Sequence, residues 1–210
     1  MMSSYETLLT DLHSYLQRDD LEPQYATFVR LAEDQHARDV RCRAMTTRVT
    51  LPGEGTTSIA LPEDFLEMRS LSADGEVRQQ LIQVSPEALT NRRDVKPMPA
   101  GMAQPTYYSI LDTLEFDTIV SVEASVSMVY WARLPRLSET NLTNWLVSNA
   151  YGCYLFGALA EAAPYIADDD RLTVWVSMYR ASVDALVDSD KKSRIGNAPR
   201  VVIEDGGLLP

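Results

Sequence analysis

Cysteine and histidine are nearly missing from this 210-residue chain, which has two of each. That scarcity excludes a disulfide framework and leaves no Cys/His set with zinc-ligand spacing. Cys42 and Cys153 fall on separate predicted helices and read as two buried thiols. His13, among Leu12, Ser14 and Tyr15 on a short surface helix, and His36, flanked by charged residues, have no partner four residues away, so both read as solvated helix histidines. Positive charge is short as well: 19 Lys and Arg against 30 Asp and Glu leave a net charge of −11. A sequence-independent nucleic-acid binder needs clustered cations to release counterions, and this balance argues against one. Long apolar runs are also scarce. The nearest, residues 142–163, is interrupted by Asn144, Asn149 and Glu161 and reads as a buried helix, not a membrane span. The first residues hold no basic region followed by an apolar run, so no secretory leader is expected.

Catalytic signatures are wanting too. Gly53 and Gly55 lack the following Gly-Lys-Ser/Thr of a phosphate loop, no Gly-x-Ser-x-Gly elbow occurs, and neither cysteine has a histidine close in sequence. Asp168, Asp169 and Asp170 do not make a calcium loop, which alternates its ligands, needs a glycine at the sixth position and ends in glutamate. The run reads instead as capping and charge–dipole matching at the start of the last helix. Glu63, Asp64, Glu67 and Glu161 could be paired as acid and base, but carboxylates this numerous always yield pairs. No enzyme, cofactor or metal is expected; a cell-wall glycosidase is the alternative reading, with a small ligand-binding module behind it.

What is present is clear periodicity. Ser3 and Glu6 suggest a capping box, followed by Tyr5, Leu8, Leu9, Leu12, Tyr15 and Leu16 on one helix face. Asp19 to Pro23 separate this from a second helix expected over 24–45, with the stripe Tyr25, Phe28, Val29, Ala32, Val40 and Met45. Residues 46–51 and 56–61 are β-rich and read as a hairpin around Pro52-Gly53-Glu54-Gly55. One helical turn is expected over 85–89, an exposed loop over 95–105, and a strand pair over 107–110 and 114–116. A strand over 120–130 follows, in strict alternation from Val120 to Tyr130. The buried helix should place Trp145, Leu146, Leu155 and Leu159 in the core, with Gly152 and Gly157 allowing close approach of neighbouring helices. The last helix, over 170–187, aligns Leu172, Trp175, Val176, Tyr179, Val183, Leu186 and Val187.

The fold class implied is α+β. Residues 1–45 and 138–188 would form an antiparallel helical body, an N-terminal helix pair plus two C-terminal helices. Residues 46–137 would form a β-rich insertion and 189–210 an extended C-terminal arm. Two candidate contact surfaces stand out. Arg38, Arg41 and Arg43, with Arg48 nearby, are the densest positive cluster and suit an acidic neighbour such as an adjacent copy of the chain. In the arm, Lys191, Lys192, Arg194 and Arg200 precede Val201-Val202-Ile203, a segment able to pair as a strand; the arm is expected to order only against a partner.

Several pieces in this order resemble the head-to-tail adaptor proteins of short-tailed and related bacteriophages. They are Tyr5-Glu6-Thr7-Leu8-Leu9, Phe28-Val29-Arg30-Leu31-Ala32-Glu33 with Arg38 and Arg41, and Leu61-Pro62-Glu63-Asp64-Phe65-Leu66-Glu67. Further on come Pro105-x-Tyr107-Tyr108, Val129-Tyr130-Trp131-Ala132-Arg133-Leu134-Pro135, and residues 151–165 leading to Asp168-Asp169-Asp170-Arg171. The resemblance implies a virion protein, made in the host cytoplasm, that forms a ring, commonly of twelve copies, at the head–tail junction. Its partners would be itself, the portal protein and the next tail tube or nozzle protein. Genomic DNA would pass through without specific binding, and no membrane would be involved. The family brings no catalytic residues.

Overall fold

Ser4 caps the first helix, α1 (Tyr5–Leu16), where its Oγ accepts the Thr7 N–H at 3.3 Å. The cap is therefore Ser4 in place of the expected Ser3; a serine accepts from the third residue after it, which from Ser4 is Thr7. The computed structural model describes residues 4–74, 78–95, 104–166 and 171–195. Tyr5, Leu8, Leu12 and Leu16 are buried along one side of α1, while Tyr15 is exposed.

Helix α2 (Tyr25–Asp39) stops six residues before the expected end, and Val40 after it is extended (φ −97, ψ 127). The Arg41 guanidinium donates to the carbonyls of Ala37 and Val40 at 2.7 and 2.8 Å, occupying acceptors that a continuing helix would have used. Val40, Cys42 and Met45 then turn to a different cluster with Trp131. Arg41 and Arg43 are accordingly off the helix.

Eight strands follow among the described residues, in two sheets. One has β1 (Thr46–Pro52), β8 (Ser125–Ala132), β3 (Phe65–Asp74) and β4 (Gln79–Gln80) in that order. The other has β2 (Thr56–Ala60), β7 (Thr113–Val120), β6 (Tyr107–Ile110) and β5 (Ile82–Gln83). The expected hairpin over 46–61 does not form: β1 pairs with β8 and β2 with β7, antiparallel in both cases. The long alternating strand is likewise two strands, β7 and β8, separated by a turn in which Ala124 N–H donates to Ser121 O. Both connections cross from one sheet to the other and pack together. Gly53 donates its N–H to Ala124 O at 2.9 Å, and a Cβ there would lie 1.9 Å from Ser121 O. Gly55 adopts φ +69 and donates to Val120 O. Alternation continues through a corner because both sheets bury their inner faces; Leu71, Leu114, Phe116, Val126 and Met128 fill the space between.

Helix α3 (Pro86–Val95) is longer than the single turn expected. Its Arg93 donates to Phe116 O at 2.7 Å and pairs with Glu115 at 2.8 Å, fastening it to β7. The β6–β7 pair forms as anticipated. Residues 96–103 of the expected loop lie outside the described residues.

The apolar stretch over 142–163 is two helices, α4 (Trp145–Asn149) and α5 (Tyr151–Ala162), broken at Ala150 (φ −143, ψ 57). Asn144 caps α4 by accepting the Val147 N–H at 3.0 Å, and Trp145 projects outward, 38 % exposed, so it is not a core residue. Leu146, Leu155 and Leu159 are buried as expected. Gly157 lets three helices converge: its Cβ position lies 3.2 Å from Ala32 and 3.4 Å from Tyr179. Helix α6 (Arg171–Ile195) continues past the expected end, so residues 189–195 are helical, not an extended arm. The Ser193 hydroxyl donates to Asp190 O, and Lys191 pairs with Asp188 one turn back. Leu172, 41 % exposed, leaves the inward face. The helices enclose one core around Phe28, Leu146, Tyr154 and Leu159, and the sheets enclose another. The architecture is α+β.

Candidate interaction surface

The arginines singled out in the sequence divide between two duties. Arg38 is exposed on the outer side of α2. Arg41 is spent within the chain, because besides capping α2 its Nε pairs with Glu67 of β3 at 3.1 Å. Arg43 exposes its side chain, while its backbone N–H donates to Asp190 Oδ1 at 2.9 Å, bringing the C-terminal end of α6 beside it. Lys191 and Lys192 are exposed on that same end. Arg48 is exposed on β1, and Arg194 lies in the last turn of α6. Arg200, Val201, Val202 and Ile203 lie outside the described residues, as do Asp168, Asp169 and Asp170.

The tightest polar assembly joins the helices to the sheets and was not anticipated. Glu33 of α2 is 8 % exposed and accepts the Leu137 N–H at 2.7 Å and the Tyr154 hydroxyl at 3.2 Å. Burial pushes its carboxyl up; these two donors and nearby Arg136 pull the other way. Asn144 Nδ2 donates to Tyr154 Oη at 2.6 Å and to Pro135 O at 2.8 Å, completing a buried chain of donors and acceptors. Next to Glu33, Asp34 takes both Arg133 (3.2 Å) and Arg136 (2.7 Å). Two consecutive acids thus hold the segment leaving β8, one by burial and one by charge.

His36 belongs to this assembly and is not the solvated histidine expected. It is 4 % exposed, stacked on Tyr179 and edge-on to Tyr154. Its Nε2 lies 3.1 Å from Cys153 O. A carbonyl only accepts, so Nε2 carries the proton and Nδ1 the lone pair. Nδ1 is the buried side-chain polar atom without a partner among the described residues, and burial lowers the imidazole to about 4. The signal was in the spacing: His36 continues Tyr25, Phe28, Val29 and Ala32 at the next helical step. His13 is exposed, as anticipated.

A cavity of ≈ 20 Å³ between Glu33, His36, Met45, Arg133 and Tyr154 has room for a water but not for an organic ligand. Cys42 and Cys153 are buried, and burial raises the Cys153 thiol to about 11, which makes it a poor nucleophile. The carboxylates considered for hydrolysis are engaged elsewhere or lie on separate elements. Asp64 accepts the Tyr130 hydroxyl, Glu67 pairs with Arg41, and Glu161 lies on α5. Among the described residues no three His, Cys, Asp or Glu side chains converge on a metal site, and no helix is long and apolar enough to cross a membrane.

No curated protein sequence matches the chain. The profile of one family, described as SU10 adaptor protein, matches residues 3–202. That span takes in both the helices and the sheets and agrees with the resemblance to phage head-to-tail adaptors: the chain belongs to the SU10 adaptor protein family.

Proposed function

We propose that this chain assembles as a ring at the junction of phage head and tail, between the portal and the next tail protein, with the genome passing through its centre. The observation that carries this reading is the family match over residues 3–202. Chemistry supports it from two sides. A net charge of −11 suits a channel wall that polyanionic DNA slides past without adhering. The helices would build the ring and the β-rich part, residues 46–137, a platform held at a fixed angle by Glu33, Asp34 and Arg41. Arg38, exposed on α2, and the exposed side chain of Arg43 are the cations of the first cluster offered to a neighbouring subunit, and Lys191, Lys192 and residues 196–210 the elements offered to the portal. Imaging of particles containing this chain tests the proposal. A closed ring below the portal is the expected density, and its absence there would refute the reading.

A further inference from the structure

Helix α6 has an apolar row that its own chain leaves uncovered. Trp175 and Tyr179 turn inward and are buried, and Ser182 faces α5 at Gly152. On another side of the helix, Val174, Met178, Ala181 and Ala185 recur at spacings of four, three and four residues. All four are exposed, Val174 by 52 % and Met178 by 45 %. A helix in water gains nothing from such a row, whereas 4-3-4 spacing is the seam along which one helix packs on another. The two alanines admit a close neighbour, and the row is about 16 Å long. Asp184 and Asp188 border its C-terminal half, where Ala185 lies, while Arg171 stands at its start and Lys192 beyond its end, so the acidic stretch is local to Ala185.

A surface with cations left over lies on α2, where Asp34 is already taken by Arg133 and Arg136. Leu31 is 38 % exposed there, between the exposed Arg30 and Arg38. Because α2 and α6 both pack on α5 at Gly157, their outer sides look in different directions. The two helices also run the same way within one chain: Phe28 meets Tyr165 just before α6, His36 meets Tyr179, and Arg43 meets Asp190. Rotation about an axis along the helices therefore brings α6 of one copy against α2 of the next in parallel. Setting Leu31 opposite Met178 then puts Arg38 level with Ala185, between Asp184 and Asp188. The antiparallel alternative would put Arg38 beside Arg171. We propose that the α6 row docks on the outer face of α2 of an adjacent copy, a head-to-tail contact that closes on itself by rotation. The inference rests on the ring reading and names the surfaces that make the ring.

The test combines cross-linking with one disrupting substitution in the full chain. With Cys42 and Cys153 buried, the double variant Leu31→Cys/Met178→Cys treated with a short bismaleimide should give a ladder of covalent multimers, and either single variant none. Met178→Asp should keep the wild-type circular dichroism melt, since the side chain is exposed, yet lower the oligomer population in native mass spectrometry at least tenfold. If the wild type forms rings while the double variant gives no ladder and Met178→Asp assembles normally, the pairing is wrong and the ring stands. A Met178→Asp ring that has lost only portal binding would also overturn the pairing, by assigning the row to the portal. A wild type that forms no ring, free or on particles, would refute the underlying reading itself.

Discussion

Acidification should destabilise this protein through His36, and the effect can be sized. In the unfolded chain the imidazole titrates near 6.5; in the folded chain burial holds it at about 4. Between those values the unfolded state binds a proton that the folded state refuses. The stability His36 contributes is thus fully present above about pH 6.5 and is lost as pH falls towards 4. The gap at 1.36 kcal/mol per pH unit comes to ~3 kcal/mol, against a total of roughly 5–15 for a domain. Glu33 works in the opposite sense. Its carboxyl is pushed up by burial, so its contribution is present at low pH and lost as pH rises through the raised value, which makes the wild-type profile shallower than His36 alone would. The comparison that isolates His36 is His36→Gln, whose amide can still donate to Cys153 O. The variant loses the stacking on Tyr179 at every pH, so slopes and not absolute stabilities are compared. Urea melts followed by circular dichroism at steps from about pH 7 to pH 4 should show the wild type losing ~3 kcal/mol more than His36→Gln. Parallel profiles, within about 1 kcal/mol, would mean that His36 is hydrated in the folded protein and that the α2–α5–α6 contact is misdescribed.

Other substitutions separate folding from assembly. Leu155→Ala, in the α5 core, should cost about 2–5 kcal/mol in denaturant melts, and a loss under about 1 kcal/mol would make α5 peripheral. Arg41→Glu should destabilise the monomer by roughly 1–3 kcal/mol, because it strips the Ala37 and Val40 carbonyls and opposes Glu67. Arg38→Glu should leave the melt within about 0.5 kcal/mol and weaken ring formation in native mass spectrometry; the reverse pattern would exchange the duties given to these two arginines. Gly53→Ala should lower stability by about 2 kcal/mol or more, read in the same melts, since its Cβ would meet the Ser121 carbonyl at 1.9 Å.

Local periodicity carried the elements whose partners are near in sequence or whose faces are cleanly divided. α1, the β6–β7 pair and the buried positions Leu146, Leu155 and Leu159 all follow from spacing. The failures have one physical cause, decisions made by distant segments. The corner at 52–55 looks like a hairpin until two strands far along the sequence, β8 and β7, claim β1 and β2 separately. The break at Ala150 is hidden because Ser148 and Asn149, both exposed, read equally well as the wet side of one continuous helix whose apolar residues resume at Tyr151. His36 was misread because its charged sequence neighbours point elsewhere, whereas its neighbours in space are Tyr154 and Tyr179. Arg41 was read by charge alone, although the carbonyls at the end of α2 were the nearer demand.

The register of β1 against β8 has a mechanical consequence. The chain enters the sheets at Thr46 and leaves them after Ala132, and Thr46 lies opposite Trp131. Both covalent tethers between helices and sheets therefore start from the same end of one strand pair. A pull on the far end of the sheets runs along β1 and β8 together as tension and reaches β3 as shear along its ladder from Phe65 to Asp74. Antiparallel hydrogen bonds stand perpendicular to the strands, so under that load they strain in concert and do not open one after another. Sideways bending meets the Asp34 pairs with Arg133 and Arg136 and the pair of Arg41 with Glu67. The β-rich part is thereby stiff along β1 and β8 and braced against tilt at its base.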